Sequence, residues 1–209
     1  EKSLLAAKYE RLARYDSLTG VENRMAMQMR LRDLFDNRIS DADQTAVLWM
    51  DLDRFKEIND TLGHIVGDQL LCQVAERLTR ALDRRGHVAR FGGDEFVLIC
   101  PGVSRIQAEV IAGDITRILA GDFEVGGHHL TISASMGIAV APEDGADGDE
   151  LLQHADLALY KAKHAGRNRH AQFDWTMKER QNRTYELETG LRSALANGEL
   201  QLHYQPIFD

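Results

Sequence analysis

The chain has 209 residues, 44% hydrophobic and 28% charged, the balance of a soluble globular protein with room for one ordinary domain plus an appendage. A formal charge of -8 excludes a protein that grips nucleic acid over a broad basic surface, so an anionic ligand needs a local cationic pocket. No apolar run approaches the roughly 18–20 residues that span a bilayer, so no membrane contact is expected and the expected location is the cytoplasm, with a tether elsewhere in the full-length protein left open.

The opening residues are charged and helical rather than signal-like, with Leu5, Tyr9 and Leu12 on one face, and residues 1–14 read as the end of a connecting helix. After the turn-like DSLTG at 16–20, Asn23 caps a second helix whose Met25, Met29 and Leu31 or Leu34 are expected to face the core. TAVLWM at 45–50 is an unbroken apolar run that ends in DLD, the pattern of a central strand covered on both faces. From His64 to Asp83, Leu70, Leu71, Val74, Leu78 and Leu82 keep a helical stripe.

Val88 to Cys100 is apolar except for RFGGDE, which predicts two strands folded around a glycine turn. A third helix is expected to bury Ile106, Val110, Ile111, Ile115, Ile118 and Leu119, and Leu130 to Val140 alternates like a strand with one buried face. His128 and His129, beside Gly126 and Gly127, read more simply as part of a turn than as a metal site. Cys72 and Cys100 lack paired spacing and read as reduced, mostly buried thiols.

Leu151, Ala155, Ala158, Leu159 and Ala162 set a further helix that stops at Gly166, and the first unit closes near Asp174. Residues 175–197 read as another helix, and ELQLHYQPIF then alternates like a strand. The element order predicts an α/β (α+β) sandwich of the split-βαβ sort, with a central mixed, mainly antiparallel sheet and surrounding helices.

Asp51 and Asp53 end a buried strand, and Asp94 and Glu95 occupy a hairpin tip that could lie beside it, so three or four carboxylates are expected to converge. Such charges repel one another and lose hydration, and an all-oxygen donor set favours Mg²⁺ or Mn²⁺. The alternative, that Asp94 and Glu95 are polar turn residues and Asp51 a strand-end cap, stands beside it. Lys163 and Arg167, at i and i+4, would share a helix face and grip a polyphosphate, or serve as solvated surface. Neither a P-loop nor a GxGxxG is present, so a nucleotide would be held by metal, cations and backbone N–H groups.

Five motifs in order, DSLTGVENR at 16–24, DLDRFKEINDTLGHIVGDQLL at 51–71, RFGGDEF at 90–96, SMGIAV at 135–140 and ADLALYKAKHAGRNR at 155–169, make residues 10–174 resemble a GGDEF domain, the bacterial diguanylate cyclase family. The resemblance implies a fold similar to adenylyl cyclase and polymerase palm domains, and synthesis of cyclic di-GMP from two GTP molecules across two facing chains. It implies that Asp51, the backbone carbonyl of Leu52 and Asp94 hold the metal, with Glu95 as the catalytic carboxylate alongside Asp94. Asn59 and Asp68 would read guanine, while the Phe55 and Lys56 amides and the Lys163 and Arg167 side chains would contact phosphates. Asp68 suits guanine physically, because a carboxylate accepts from N1–H and the exocyclic amine together and adenine offers no such pair.

Two departures stand out. Val21 and Glu22 replace residues usual in the first motif, a mild change. The family's product-binding RxxD motif is replaced by Asp83, Arg84, Arg85 and Gly86, so feedback inhibition through that site is not expected. LETGLRSALANGELQLHYQPIFD resembles the helix and first strand that open an EAL phosphodiesterase domain, although no EAL catalytic motif is present. The expected organisation is a connecting helix at 1–14, a GGDEF domain at 15–174, and a linker helix with the first strand of an EAL domain at 175–209. The expected partners are GTP, a second copy of the chain, an adjacent EAL domain and an upstream sensor. An active cyclase and a GTP-binding module that controls an attached EAL domain are the competing functions.

Overall fold

A computed structural model describes residues 11–37, 43–194, 197–199 and 203. Leu5, Tyr9 and most of the predicted strand ELQLHYQPIF lie outside the described residues. The chain divides into two units, one ending at Phe173 and the other starting at Asp174.

In the first unit, residues 11–14 are helical, and β1 (Glu22–Asn23) leads into α1 (Arg24–Asp36), whose first turn is capped by Asn23 Oδ1 accepting from Ala26 N at 2.9 Å. Then follow β2 (Thr45–Leu52), α2 (Phe55–Leu62), α3 (His64–Leu82), β3 (His87–Gly92) and β4 (Glu95–Pro101). The chain continues through α4 (Arg105–Leu119), β5 (Phe123–Val125), β6 (His128–Leu130), β7 (Ala134–Ala141), α5 (Gly148–His164) and β8 (His170–Gln172). Six strands form one sheet in the order β1-β3-β4-β2-β7-β8, with β5 and β6 apart as a small hairpin. The three central pairings are antiparallel, while the two edge pairings, β1 with β3 and β7 with β8, are parallel and short. Short edges offer little free backbone to another chain.

One face of the sheet packs Leu48, Met50, Phe96, Leu98, Met136 and Ile138 against α3 and α4. Leu70, Leu71, Val74, Leu78 and Leu82 of α3 are each at most 1% exposed, and each contributes about 1.5–3 kcal/mol by leaving water. The other face is covered by α5, with α1 beside it. There Gly137 of β7 lies so close to α5 that a methyl group on it would stand 2.0 Å from Ala155 O and 2.2 Å from Leu159 N.

Coverage on both faces corrects three expectations. β7 is buried at every residue rather than on one face, because helices lie over both sides. Met25 and Met29 are 63% and 60% exposed, since α1 turns Ala26, Met27 and Leu31 inward instead. Ile106, Val110 and Ile118 of α4 are likewise exposed, whereas Ile111, Ile115 and Leu119 are buried. His128 and His129 do belong to a hairpin closed by Gly126 and Gly127.

The second unit contains α6 (Trp175–Ala194), started by Asp174, whose Oδ1 accepts from Thr176 N at 2.9 Å. Among the described residues no helix is long and apolar enough to cross a membrane.

Candidate functional site

Local chemistry builds the hairpin tip. Gly93, at φ 51, takes a left-handed conformation that a side chain disfavours, and the β3–β4 register shifts between Arg90 and Gly92. Asp94 follows in the turn, and its carbonyl accepts from Leu52 N at 3.3 Å, tying the tip to the end of β2. Arg90 braces the turn: Nε and Nη2 donate to Gly93 O at 3.0 and 2.7 Å, and Nη1 donates to Asp16 Oδ1 at 3.2 Å. Asp16 also accepts from the Thr19 amide and hydroxyl, so the DSLTG turn and the hairpin form one frame.

The sheet register sets Asp51 directly opposite Glu95. Like charges facing one another across strands are unfavourable, so this pairing calls for a cation. In this structure the cation is Lys163, from the last turn of α5, whose Nζ lies 2.7 Å from Asp51 Oδ2. Burial pushes the Asp51 carboxyl above the usual range, and repulsion from Asp94 and Asp53 adds to it while Lys163 opposes. Glu95 is raised first by burial and then by Asp51, with Lys163 again opposing and Asp156 adding repulsion. Asp156 stands two turns before Lys163 on α5 and was not singled out by the sequence; its spacing from Lys163 was the available signal.

Asp53 has a different task. It is 8% exposed, and it accepts from Ser133 Oγ at 2.6 Å, Ser135 Oγ at 2.7 Å and Asn168 N at 2.9 Å. Its oxygens are committed to holding the loop before β7 and the turn after α5. Asp53 is thereby withdrawn from the expected group, which leaves Asp51, Asp94 and Glu95 near one another, and among the described residues no three His, Cys, Asp or Glu side chains are arranged to hold a metal ion.

A second cluster stands on the helices. α2 starts at Phe55, and Arg54 in front of it takes φ 58 and offers no side-chain cap, which leaves the Phe55 and Lys56 amides at an uncapped N-terminus. Phe55 and Asn59, one turn apart, both press on Gly67 of α3, and Asp68 follows Gly67 directly. Asp68 and Cys72, one turn apart, line a cleft of about 410 Å³ with Leu18, Gln69 and Glu124. Cys72 is half-buried rather than mostly buried, and its thiol donates to Leu18 O at 3.3 Å. Cys100 is fully buried, its pKa pushed by burial to about 12.

Asp51, Asp94, Glu95 and Lys163 thus form one group, while Asn59 lies against Gly67, the residue before Asp68. Arg167 corrects an expectation: α5 ends at His164, so Lys163 and Arg167 do not share a helix face. Arg167 and Asn168 instead take left-handed conformations at φ 59 and 48, in the turn that Asp53 holds. Asp16, Asp53, Arg90 and Gly67 are the supporting residues that motif spacing did not separate from the chemical ones.

The arrangement combines buried anionic charge beside a lysine, an open helix N-terminus and a cleft with a carboxylate on its wall, which suits a nucleoside polyphosphate. A family model described as "Diguanylate cyclase, GGDEF domain" matches residues 13–169. MucR of Pseudomonas aeruginosa, a bifunctional diguanylate cyclase/cyclic di-GMP phosphodiesterase, is 40% identical over 195 residues, covering 93% of this chain and 28% of MucR. PdeR of Escherichia coli, a cyclic di-GMP phosphodiesterase, is 41% identical over 197 residues, covering 93% of this chain and 29% of PdeR. The chain thus spans less than a third of either relative. The solved GGDEF domain of TpbB (YfiN) from P. aeruginosa superposes with a TM-score of 0.77 at 35% identity, covering 80% of this chain and 99% of that one.

Proposed function

The chain belongs to the GGDEF family, and from that premise we propose that it is a diguanylate cyclase that joins two GTP molecules into cyclic di-GMP with release of two pyrophosphates. The observation that carries this reading is the Asp51–Glu95 pair, set opposite by the sheet register and met by Lys163 at 2.7 Å. A purely structural role does not account for opposed, partly buried carboxylates in that position.

The donor set fits a hard cation. Asp51 and Asp94, with the Leu52 carbonyl, would hold Mg²⁺ or Mn²⁺, and Lys163 already marks the place where positive charge is wanted. When bound, that ion neutralises triphosphate charge. The Phe55 and Lys56 amides point the positive end of α2 at phosphate oxygens, and Lys163 exchanges Asp51 for the triphosphate as nucleotide enters. Arg167 closes on the same phosphates from the turn held by Asp53. Asn59 and Asp68 accept and donate along the guanine edge.

Reaction requires a second GTP-loaded copy of the chain facing the first. The 3′-oxygen of one GTP attacks the α-phosphorus of the other, the new P–O bond forms, the bond to the β-phosphate oxygen breaks, and pyrophosphate carries away the electron pair. Glu95, at the hairpin tip, takes the role of accepting the 3′-hydroxyl proton in this proposal. Repetition in the other direction closes the ring.

Product feedback through the usual RxxD position is absent from this reading. Residues 83–85 form a short 3₁₀ turn with Arg85 turned back onto Ala81 O and Leu82 O. A methyl group on Gly86 would stand 2.4 Å from Ile99 O, so the backbone there leaves no room for the aspartate of that motif. Residues 175–209 are proposed to open an EAL domain, with an upstream sensor acting through the N-terminal helix and the whole working in the cytoplasm.

A second reading is favoured by one observation, the 41% identity to a relative named as a phosphodiesterase: a GTP-binding module that regulates an adjacent EAL domain without turnover. Incubation with Mg²⁺ and GTP followed by chromatography separates the two. Cyclic di-GMP formed by the wild type and lost by at least ~100-fold in Asp94→Ala supports the cyclase. GTP that binds but stays intact, with dimerisation enforced, supports the module.

A further inference from the structure

Gly67, directly before the Asp68 that lines the cleft of about 410 Å³, is the most tightly approached glycine among the described residues. A methyl group built there would sit 1.9 Å from Asn59 Oδ1, 3.0 Å from Asn59 Cγ and 3.2 Å from Phe55 Cζ. The Asn59 side-chain carbonyl oxygen therefore points at the α3 backbone, at the residue immediately before Asp68. Phe55 and Asn59, at i and i+4 on α2, clasp that point from one helix face.

The two clasping side chains are not equally free to move. Phe55 is 7% exposed and packed into the core, whereas Asn59 is half-buried. Any side chain at 67 would evict Asn59 and leave Phe55 in place. We propose that Gly67 is a specificity-positioning residue: its missing side chain seats the Asn59 amide beside the Asp68 carboxylate, so that both read one edge of the same purine.

This inference rests on the assignment of Asn59 and Asp68 to guanine. A carboxylate at 68 accepts from two adjacent N–H groups, and an amide can both donate and accept. A pair of readers discriminates only while both reach the same base, because a displaced amide leaves a polar group unpaired in the complex. Gly67 touches no substrate in this account and acts through Asn59.

The test is a double-mutant cycle of Gly67→Ala and Asn59→Ala, read by calorimetric titration with Mg²⁺ and non-cleavable α,β-methylene analogues of GTP and ATP. Gly67→Ala alone should weaken the GTP analogue by about tenfold or more and shrink its preference over the ATP analogue, while the double variant binds no more weakly than Asn59→Ala. A thermal melt supplies a readout independent of nucleotide. Gly67→Ala should lower Tm by more in the wild-type background than in the Asn59→Ala background, where only the 3.2 Å approach to Phe55 Cζ remains and the helix preference of alanine offsets it.

A wild type that prefers its GTP analogue, combined with a Gly67→Ala loss of equal size in both backgrounds, overturns the positioning role alone. A wild type that does not distinguish the two analogues overturns the guanine assignment and this inference with it.

Discussion

The two halves of the candidate site are held by different physics. The charged end, where β2 meets the hairpin, is placed by the backbone ladder: register alone sets Asp51 against Glu95, and the Leu52 amide joins the tip to the strand. The helical wall of α2 and α3 is placed by contact, with Gly67 admitting Asn59 at a distance no other residue would permit. Ladders tolerate changes of charge and resist changes of backbone path, while contact-built walls tolerate neither bulk nor shape change. The lesson is that charge variants should report on the first region and volume variants on the second.

The largest effect is expected where the charged end itself depends on contact. Gly137→Ala drives a methyl group into the α5 backbone, beyond the ~1–3 kcal/mol typical of overpacking, and should lose the cooperative melt altogether. A soluble variant with a near-native Tm would break the comparison. Next comes Asp53→Ala, which strips acceptors from two hydroxyls and the Asn168 amide; about 3 kcal/mol of stability should go, measured by urea denaturation.

Lys163→Met should act on charge with little effect on fold. In the absence of nucleotide it frees Asp51 from its 2.7 Å partner, and Mn²⁺ binding followed by electron paramagnetic resonance should tighten by about tenfold while turnover falls. Unchanged or weaker Mn²⁺ binding would show that the ion pair does not compete with metal.

The smallest effect concerns Glu95. Its carboxyl titrates above the ordinary 4.5 because of burial and then Asp51, so the folded state binds more protons than the unfolded chain between the two values. The stabilising contribution is complete below 4.5 and is lost as pH rises through the folded value, leaving a small penalty at pH 7. Glu95→Gln should therefore raise Tm slightly at neutral pH, flatten stability across that acid window and abolish synthesis. A lower Tm in this variant would show that the carboxylate supports the apo fold.

Much of the site was legible because its signals are local. The glycine turn of RFGGDEF, the cap at Asn23, the stripe of α3 and the apolar run of β2 follow from backbone preferences and periodicity within a few residues, and they sufficed to bring β2 beside the hairpin. The chemical types of Asp51, Asp94, Glu95 and Lys163 are explicit in the sequence itself.

What the sequence could not decide was which of several similar residues does what. Asp51 and Asp53 are two positions apart with the same side chain, yet Asp53 is taken up by Ser133, Ser135 and Asn168, which lie 80, 82 and 115 residues away. Met25 and Met27 differ only in which side of α1 met a neighbour, and Gly67 differs from any other helical glycine only in having Asn59 against it. The sequence by itself determined the elements, the turn chemistry and the supply of charged groups, because those depend on nearest neighbours along the chain. Only the tertiary structure decided how those groups divide between scaffold and chemistry, because that depends on distances between residues the chain holds far apart.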